Sequence, residues 1–162
     1  MTFGPPKSMS PAERTRFLHS FYATVDKQDL AAHEPRALAA IAWSHLAFAA
    51  QRRRRHALVR VFNPTLAEHG FTSPHTIVEM VNDDMPFLVD SIGLALSRRG
   101  LALHFLAHPI FSVSRDRAGM LLGIRPREDG VIDKRWALES FQHIEIDRIV
   151  DAATMRSLCL EI

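Results

Sequence analysis

The sequence predicts a mixed helix-and-sheet domain of the α+β class, and three observations carry that reading. Apolar residues recur at helical spacing in four stretches, centred near residues 18, 45, 92 and 157. Between them lie shorter runs that alternate, or are apolar on both sides, as strands are. Turn residues such as Asn63-Pro64, Asn82-Asp83-Asp84 and Gly100 separate the two kinds.

Ser10-Pro11-Ala12-Glu13 reads as a helix start: serine caps free amides, proline suits the first position, and glutamate stands three residues after the cap. Phe17, Leu18, Phe21, Tyr22 and Val25 form the apolar stripe of a helix over roughly 11–24. A second, alanine-rich helix is expected from Pro35 to about Arg53, with Leu38, Ile41, Ala42, Trp43, His45, Leu46, Phe48 and Ala49 on a broad face. Arginines 52–55 would then sit against its negative end. Residues 57–62 alternate as a strand, and 65–74 read as a loop with room for a short helical turn.

Residues 76–81 are apolar on both faces, which predicts a central strand. Asn82-Asp83-Asp84-Met85-Pro86 turns the chain into a helix over 86–99, with Pro86 in its first turn. Phe87, Leu88, Ser91, Ile92, Ala95 and Leu96 form its apolar face, and Gly100 takes the left-handed position beyond its end. Residues 101–113 form one extended segment bent at Pro109, 120–124 pair back as a hairpin, and 125–135 form a polar loop. A last strand spans 139–149, and Asp151 caps a helix whose stripe is Met155, Leu158, Cys159 and Ile162. A split βαβ fold calls for one further strand after that helix. The expectation is therefore a domain truncated before its last strand. The alternative is that 57–62 fills that place by another connection.

Composition narrows the function classes. A hydrophobic fraction of 47% is ample for a core. No stretch approaches 18 apolar residues without a charge, so no membrane span is expected, and the first ten residues lack the apolar segment of a secretory signal. Cys159 is the only cysteine, which excludes an internal disulfide and fits a reducing, cytoplasmic setting. Arg52 to Arg55 with Arg60 form the one strong basic patch, but no helix-turn-helix or aromatic sheet motif accompanies it. No nucleic acid partner is expected.

The densest polar cluster is Asn82, Asp83, Asp84 and Asp90, at a strand end and over a helix start. Such a turn either caps its helix, with Met85, Phe87 and Leu88 packing inward, or receives a small ligand such as an amino acid on free amides. His104, His108 and His143 suggest a zinc site only weakly, without supporting cysteine or HExxH spacing, and no metal is expected. The remaining histidines, His45 and His75 among them, are scattered, and no nucleophile, Walker or dinucleotide motif occurs.

Certain stretches resemble a known family. They are Asn63-Pro64, Glu68-His69-Gly70, Ser73-Pro74-His75-Thr76, Arg99-Gly100-Leu101, His108-Pro109, His143-Ile144-Glu145-Ile146-Asp147-Arg148 and, above all, Val81-Asn82-Asp83-Asp84-Met85-Pro86-Phe87-Leu88-Val89-Asp90-Ser91. Over residues 35–158 the chain resembles the N-terminal end of the large bacterial NAD-dependent glutamate dehydrogenases. The resemblance implies an ACT-like, ferredoxin-like βαββα module over 57–162, incomplete at its C-terminus. A helical extension over 11–56 and a flexible tail over 1–10 would precede it. It implies a non-catalytic regulatory or assembly role in an enzyme that converts L-glutamate to 2-oxoglutarate and ammonia. NAD would be bound by other domains of that parent and no cofactor by this segment. The remaining parent domains, a homo-oligomer and a free amino acid are the implied partners; a stand-alone ACT-type sensing or oligomerisation module is the alternative. By analogy Asn82, Asp83, Asp84, Met85 and Pro86 are the ligand-binding candidates, although ACT turns usually contain glycine where Met85-Pro86-Phe87 stands. Asp90, Gly100, His108, Pro109, Asp147 and Arg148 are expected to be structural, and none of the residues is expected to be catalytic.

Overall fold

The computed structural model describes residues 4–6, 8–127, 133 and 135–162. Its first helix, α1 (Pro11–Phe21), starts as expected: the Ser10 hydroxyl accepts from the Glu13 amide while the Glu13 carboxylate accepts from the Ser10 amide at 2.7 Å. A short helix α2 (Lys27–Ala31), capped by Asp26, was not foreseen. Helix α3 (Pro35–Phe48) stops before the arginine run, not within it. After a turn at 49–50, Gln51 forms a β-bridge with Met120, and Arg52 beside it is 1% exposed.

Strand β1 (Leu58–Phe62), helix α4 (Leu66–His69) and strand β2 (Thr76–Asp83) follow. Helix α5 (Leu88–Arg98) begins later than expected. Pro86 lies outside it, and Phe87 occupies the cap position at φ 65, a left-handed backbone without a side-chain cap. Gly100 takes φ +67 beyond the helix, where a residue with Cβ is disfavoured. The segment expected as one extended run divides at His108-Pro109 into β3 (Leu103–Ala107) and β4 (Ile110–Arg115). Proline lacks the amide that a continuous ladder needs. Strand β5 (Leu121–Pro126) pairs back on β4 as a hairpin, and β6 (Ala137–Ile146) ends earlier than expected. The polar loop expected over 125–135 lies largely outside the described residues. Helix α6 (Ala152–Glu161) is capped by the Asp151 carboxylate at 2.7 Å from the Thr154 amide.

The strands form one sheet in the order β1-β2-β6-β4-β5, with β3 beside β4 on the same edge of β6. Every ladder is antiparallel. Strands β2 and β3 thus flank β6 and are joined through α5, which gives the βαββα order of an ACT or ferredoxin-like fold. Beside β2, the place that a strand after α6 would fill is taken by β1, the connection set out above as the alternative.

Alternation along β2 and β6 serves two separate cores. Ile77, Val81, Phe105, Phe111 and Phe141 face α1 and α3, where Phe17, Phe21, Ile41, Trp43 and Leu46 close over them. Val78, Met80, Ile144 and Ile146 face α5 and α6, against Ile92, Leu96 and Leu158. Phe17 stacks between Trp43 at 5.1 Å and Phe111 at 5.2 Å, so α1 and α3 share one aromatic layer with the sheet. Among the described residues no helix is long and apolar enough to cross a membrane.

Candidate functional site

The β2–β6 register builds an unexpected polar stripe on the face beneath α1 and α3. It places Ile77 opposite Glu145, Glu79 opposite His143, Val81 opposite Phe141 and Asp83 opposite Glu139. Four ionisable side chains of β6 and β2 are thereby buried between aromatic rings. Burying charges is costly unless each is paired and hydrogen-bonded, and each of these has at least one such partner.

At the centre, Glu79 and His143 are fully buried. His143 Nδ1 donates to Glu79 Oε1 at 2.8 Å, and Arg60 Nε donates to Glu79 Oε2 at 2.7 Å. Arg60 itself lies over the Phe48 and Phe62 rings at 4.5 Å. Burial by itself raises the Glu79 carboxyl, but His45, His143 and Arg60 outweigh it and lower it to about 2. Burial pushes His45 down to about 4, so it is neutral near pH 7 and the hold on Glu79 there comes from His143 and Arg60. Burial also opposes charge on His143, yet the nearby Glu145 carboxylate, 3.8 Å away, and its bond to Glu79 raise it above an ordinary imidazole.

Glu145 closes one end. It accepts from Ser73 Oγ at 2.9 Å, His75 Nδ1 at 2.8 Å and His33 Nε2 at 3.2 Å. His33 Nδ1 lies 3.0 Å from the Asp29 carbonyl. Both ring nitrogens of His33 face acceptors that cannot donate, which requires the imidazolium. The Glu145 bond raises His33 accordingly. Glu145 is lowered although burial pushes it up, because His143 lies 3.8 Å away and His33 and His75 donate to it. A cavity of about 600 Å³ lined by His33, Arg36, Ser73, His75 and His104 opens beside it.

The other end holds Arg52. Its Nη2 donates to Glu139 Oε1 at 2.7 Å and to Asp83, and its Nη1 donates to the His56 carbonyl at 2.8 Å. Arg115 takes both Glu139 oxygens at 2.8 Å. The arginine run expected at the negative end of the second helix therefore contributes a buried anchor.

The turn that the sequence singled out sits directly above this end. Asn82 is 8% exposed, and Asp83 is engaged by Arg52 and is not a helix cap. Asp84 lies 4.0 Å from Arg127. Met85 and Phe87 are 53% and 75% exposed, so the expected inward packing of both is corrected. A left-handed residue at position 87 rotates the ring away from the sheet before α5 begins. An open cavity of about 410 Å³ is lined by Asp84, Met85, Pro86, Phe87, Asp90 and His108. Asp90 stands exposed in the first turn of α5.

The other expected structural residues make specific contacts. His108 Nε2 hydrogen-bonds Ser140 Oγ at 2.7 Å, and the Pro109 carbonyl accepts from the Phe141 amide at 2.9 Å. Asp147 accepts from the Ala102 amide at 2.8 Å and from His104 at 2.7 Å, and Arg148 donates to the Ser73 carbonyl at 3.0 Å. His104, His108 and His143 have separate partners and do not converge. His45, Glu79 and His143 bring one ligand atom each within 4.8 Å of one another. However, Arg60 and His143 already engage both Glu79 oxygens, as an ion-pair network does. The sequence missed Glu79, Glu145, His33 and His75; the only signal was charge on the inward positions of two strands.

Comparison with known proteins agrees with this geometry. The family described as "Glutamate dehydrogenase, ACT1 domain" matches residues 17–162. A protein of Pseudomonas aeruginosa named NAD-specific glutamate dehydrogenase is 43% identical over 100 residues, 62% of this chain and 6% of that protein. One of the same name from Halomonas elongata is 36% identical over 147 residues, 91% of this chain and 9% of that protein. The chain thus spans less than a tenth of the length of these relatives. No solved structure matches it. With the βαββα order, the NDDMPF turn and a match that begins in α1 and runs through α6, the chain belongs to the glutamate dehydrogenase ACT1 domain family.

Proposed function

We propose that this chain acts as a non-catalytic N-terminal assembly or regulatory module of an NAD-dependent glutamate dehydrogenase. The parent reaction is L-glutamate, NAD and water to 2-oxoglutarate, ammonia and NADH. The observation that carries the reading is similarity across 91% of this chain to under a tenth of a dehydrogenase. The carboxylates buried on β2 and β6 are consumed in structural pairs, and the turn after β2 presents Met85 and Phe87 outward. Exposed apolar side chains on a rigid turn are contact groups for another surface. The remaining parent domains are the proposed contacts. The test is removal of residues 17–162 from the parent polypeptide. Altered subunit number or effector response is expected, with no glutamate-dependent NADH formation by the separated chain. Unchanged assembly and response, or turnover by the separated chain, refutes it.

A second reading is amino-acid binding at Asn82, Asp83, Asp84, Met85 and Pro86. Its support is the cavity of about 410 Å³ beside the start of α5, where no side chain caps the helix and its first amides suit an anionic group. Micromolar binding of a free amino acid with hydrogen-exchange protection confined to 82–86 supports it, and absence of such protection rejects it.

A further inference from the structure

A second, larger cleft lies beneath the turn after β2 and has Asp83 in its wall. It encloses about 1270 Å³ between the exit of α3, the β4–β5 hairpin turn and the start of β6. Its wall is locked by backbone. The Arg52 amide donates to the Gly119 carbonyl at 2.9 Å, and the Leu121 amide donates to the Ala50 carbonyl at 2.9 Å. Arg115 Nη1 adds a bond to the Gly119 carbonyl at 3.0 Å. Gly119 holds φ +88, and a Cβ there would overlap the Arg52 carbonyl oxygen, so only glycine lets the hairpin turn approach the helix exit this closely.

Six arginines line this wall, Arg52, Arg53, Arg54, Arg115, Arg117 and Arg135, against Asp83, Asp116 and Glu139. Arg52 and Arg115 are spent on Glu139 and Asp83, and Arg135 on Asp133. Arg53, Arg54 and Arg117 are exposed and have no carboxylate partner among the described residues. Buried Arg52 keeps an Nε with no hydrogen-bond partner. The indole of Trp136 also lines the cleft, braced by Arg125 at 4.3 Å from its ring.

Three unshared guanidinium groups on a fixed wall suit a ligand carrying several negative charges, not a single carboxylate. We propose that this cleft binds a phosphate-bearing small molecule. Its phosphate oxygens meet Arg53, Arg54 and Arg117, and Trp136 stands beside any planar group attached to them. This site is separate from the assembly role above and is read on the chain itself.

The test titrates the full chain with inorganic pyrophosphate and with ADP, following heat of binding and the tryptophan fluorescence of a Trp43→Phe variant, in which Trp136 is the remaining indole. Citrate serves as a carboxylate control. Saturable binding of pyrophosphate or ADP is expected, weakening as salt rises. Comparable affinity for both places recognition in the phosphates alone, and tighter ADP binding adds the ring beside Trp136. Replacing any one of Arg53, Arg54 and Arg117 by Ala should weaken binding about tenfold or more. Since these side chains have no partners, the variants should keep the parental melting temperature. No saturable signal at millimolar ligand, citrate binding as tight as pyrophosphate, or affinity unchanged in the triple variant overturns the proposal. So does binding confined to long RNA or DNA, which would mark a backbone-tracking surface instead.

Discussion

Glu79→Gln isolates the charge at the centre of the polar stripe, because it preserves shape and changes one oxygen into an amide. The wild-type carboxylate receives bonds from Arg60 and from His143 with both the acid and His143 fully buried. Charge-assisted bonds contribute about 1.5–3 kcal/mol each, and the new amide group cannot accept from the donor it faces, so the substitution costs about 2–3 kcal/mol. The loss stays below that of a wholly orphaned buried charge, about 3–5 kcal/mol. Two features limit it. Arg60 is 26% exposed and can turn toward solvent, and His143 can release its proton. Urea unfolding followed by tryptophan fluorescence measures the change, since Trp43 is buried on the Phe17 ring. A second signature is specific to the pair. With the acid gone, burial dominates His143, and its titration falls from above 6.5 toward lower pH. A stability loss under about 0.5 kcal/mol, or a His143 that titrates as before, refutes the reasoning.

Other perturbations follow from the same contacts. His33 is raised above 6.5 by Glu145, so its contribution is complete below about pH 6.5 and vanishes as pH rises through its folded value. His33→Gln should therefore cost about 1 kcal/mol near pH 6 and almost nothing near pH 9, read from paired urea curves. Gly119→Ala forces a left-handed Cβ onto the Arg52 backbone and should lower stability by about 2 kcal/mol or more in a thermal melt. Phe87→Gly relieves the left-handed backbone at an exposed position. It should raise stability by about 0.5–1 kcal/mol while weakening the parent assembly, measured by unfolding and by light scattering. Asp151→Ala removes the α6 cap at a cost of about 1 kcal/mol, visible in the same melt.

Local signals were legible and long-range ones were not. The Ser10 and Glu13 box, the Asp151 cap and Gly100 act within a few residues, so their pattern in the sequence is the structure. The two-sided apolarity of 76–81 announced a central strand, because each side serves its own core. Glu79 gave no warning, since its partner His143 is 64 residues away and only the register brings them together. Arg52 was misjudged for the same reason: four adjacent arginines look solvated until Glu139, 87 residues on, reaches one of them. Phe87 failed differently. Its helical spacing placed it on the buried face of α5, but that spacing holds only inside a helix, and residue 87 lies one step before it. The β1 edge could not be read from order alone, because a strand before or after the βαββα unit satisfies the same ladder.

The Phe17 ring, held between Trp43 and Phe111, has a consequence for how the molecule comes apart. Lifting α1 strips one aromatic from the α3 surface and another from the hairpin strand in a single motion. The segment before residue 57 and the sheet therefore melt as one cooperative unit, and slow amide exchange should be shared between α3 and β4, not graded from one end of the chain to the other.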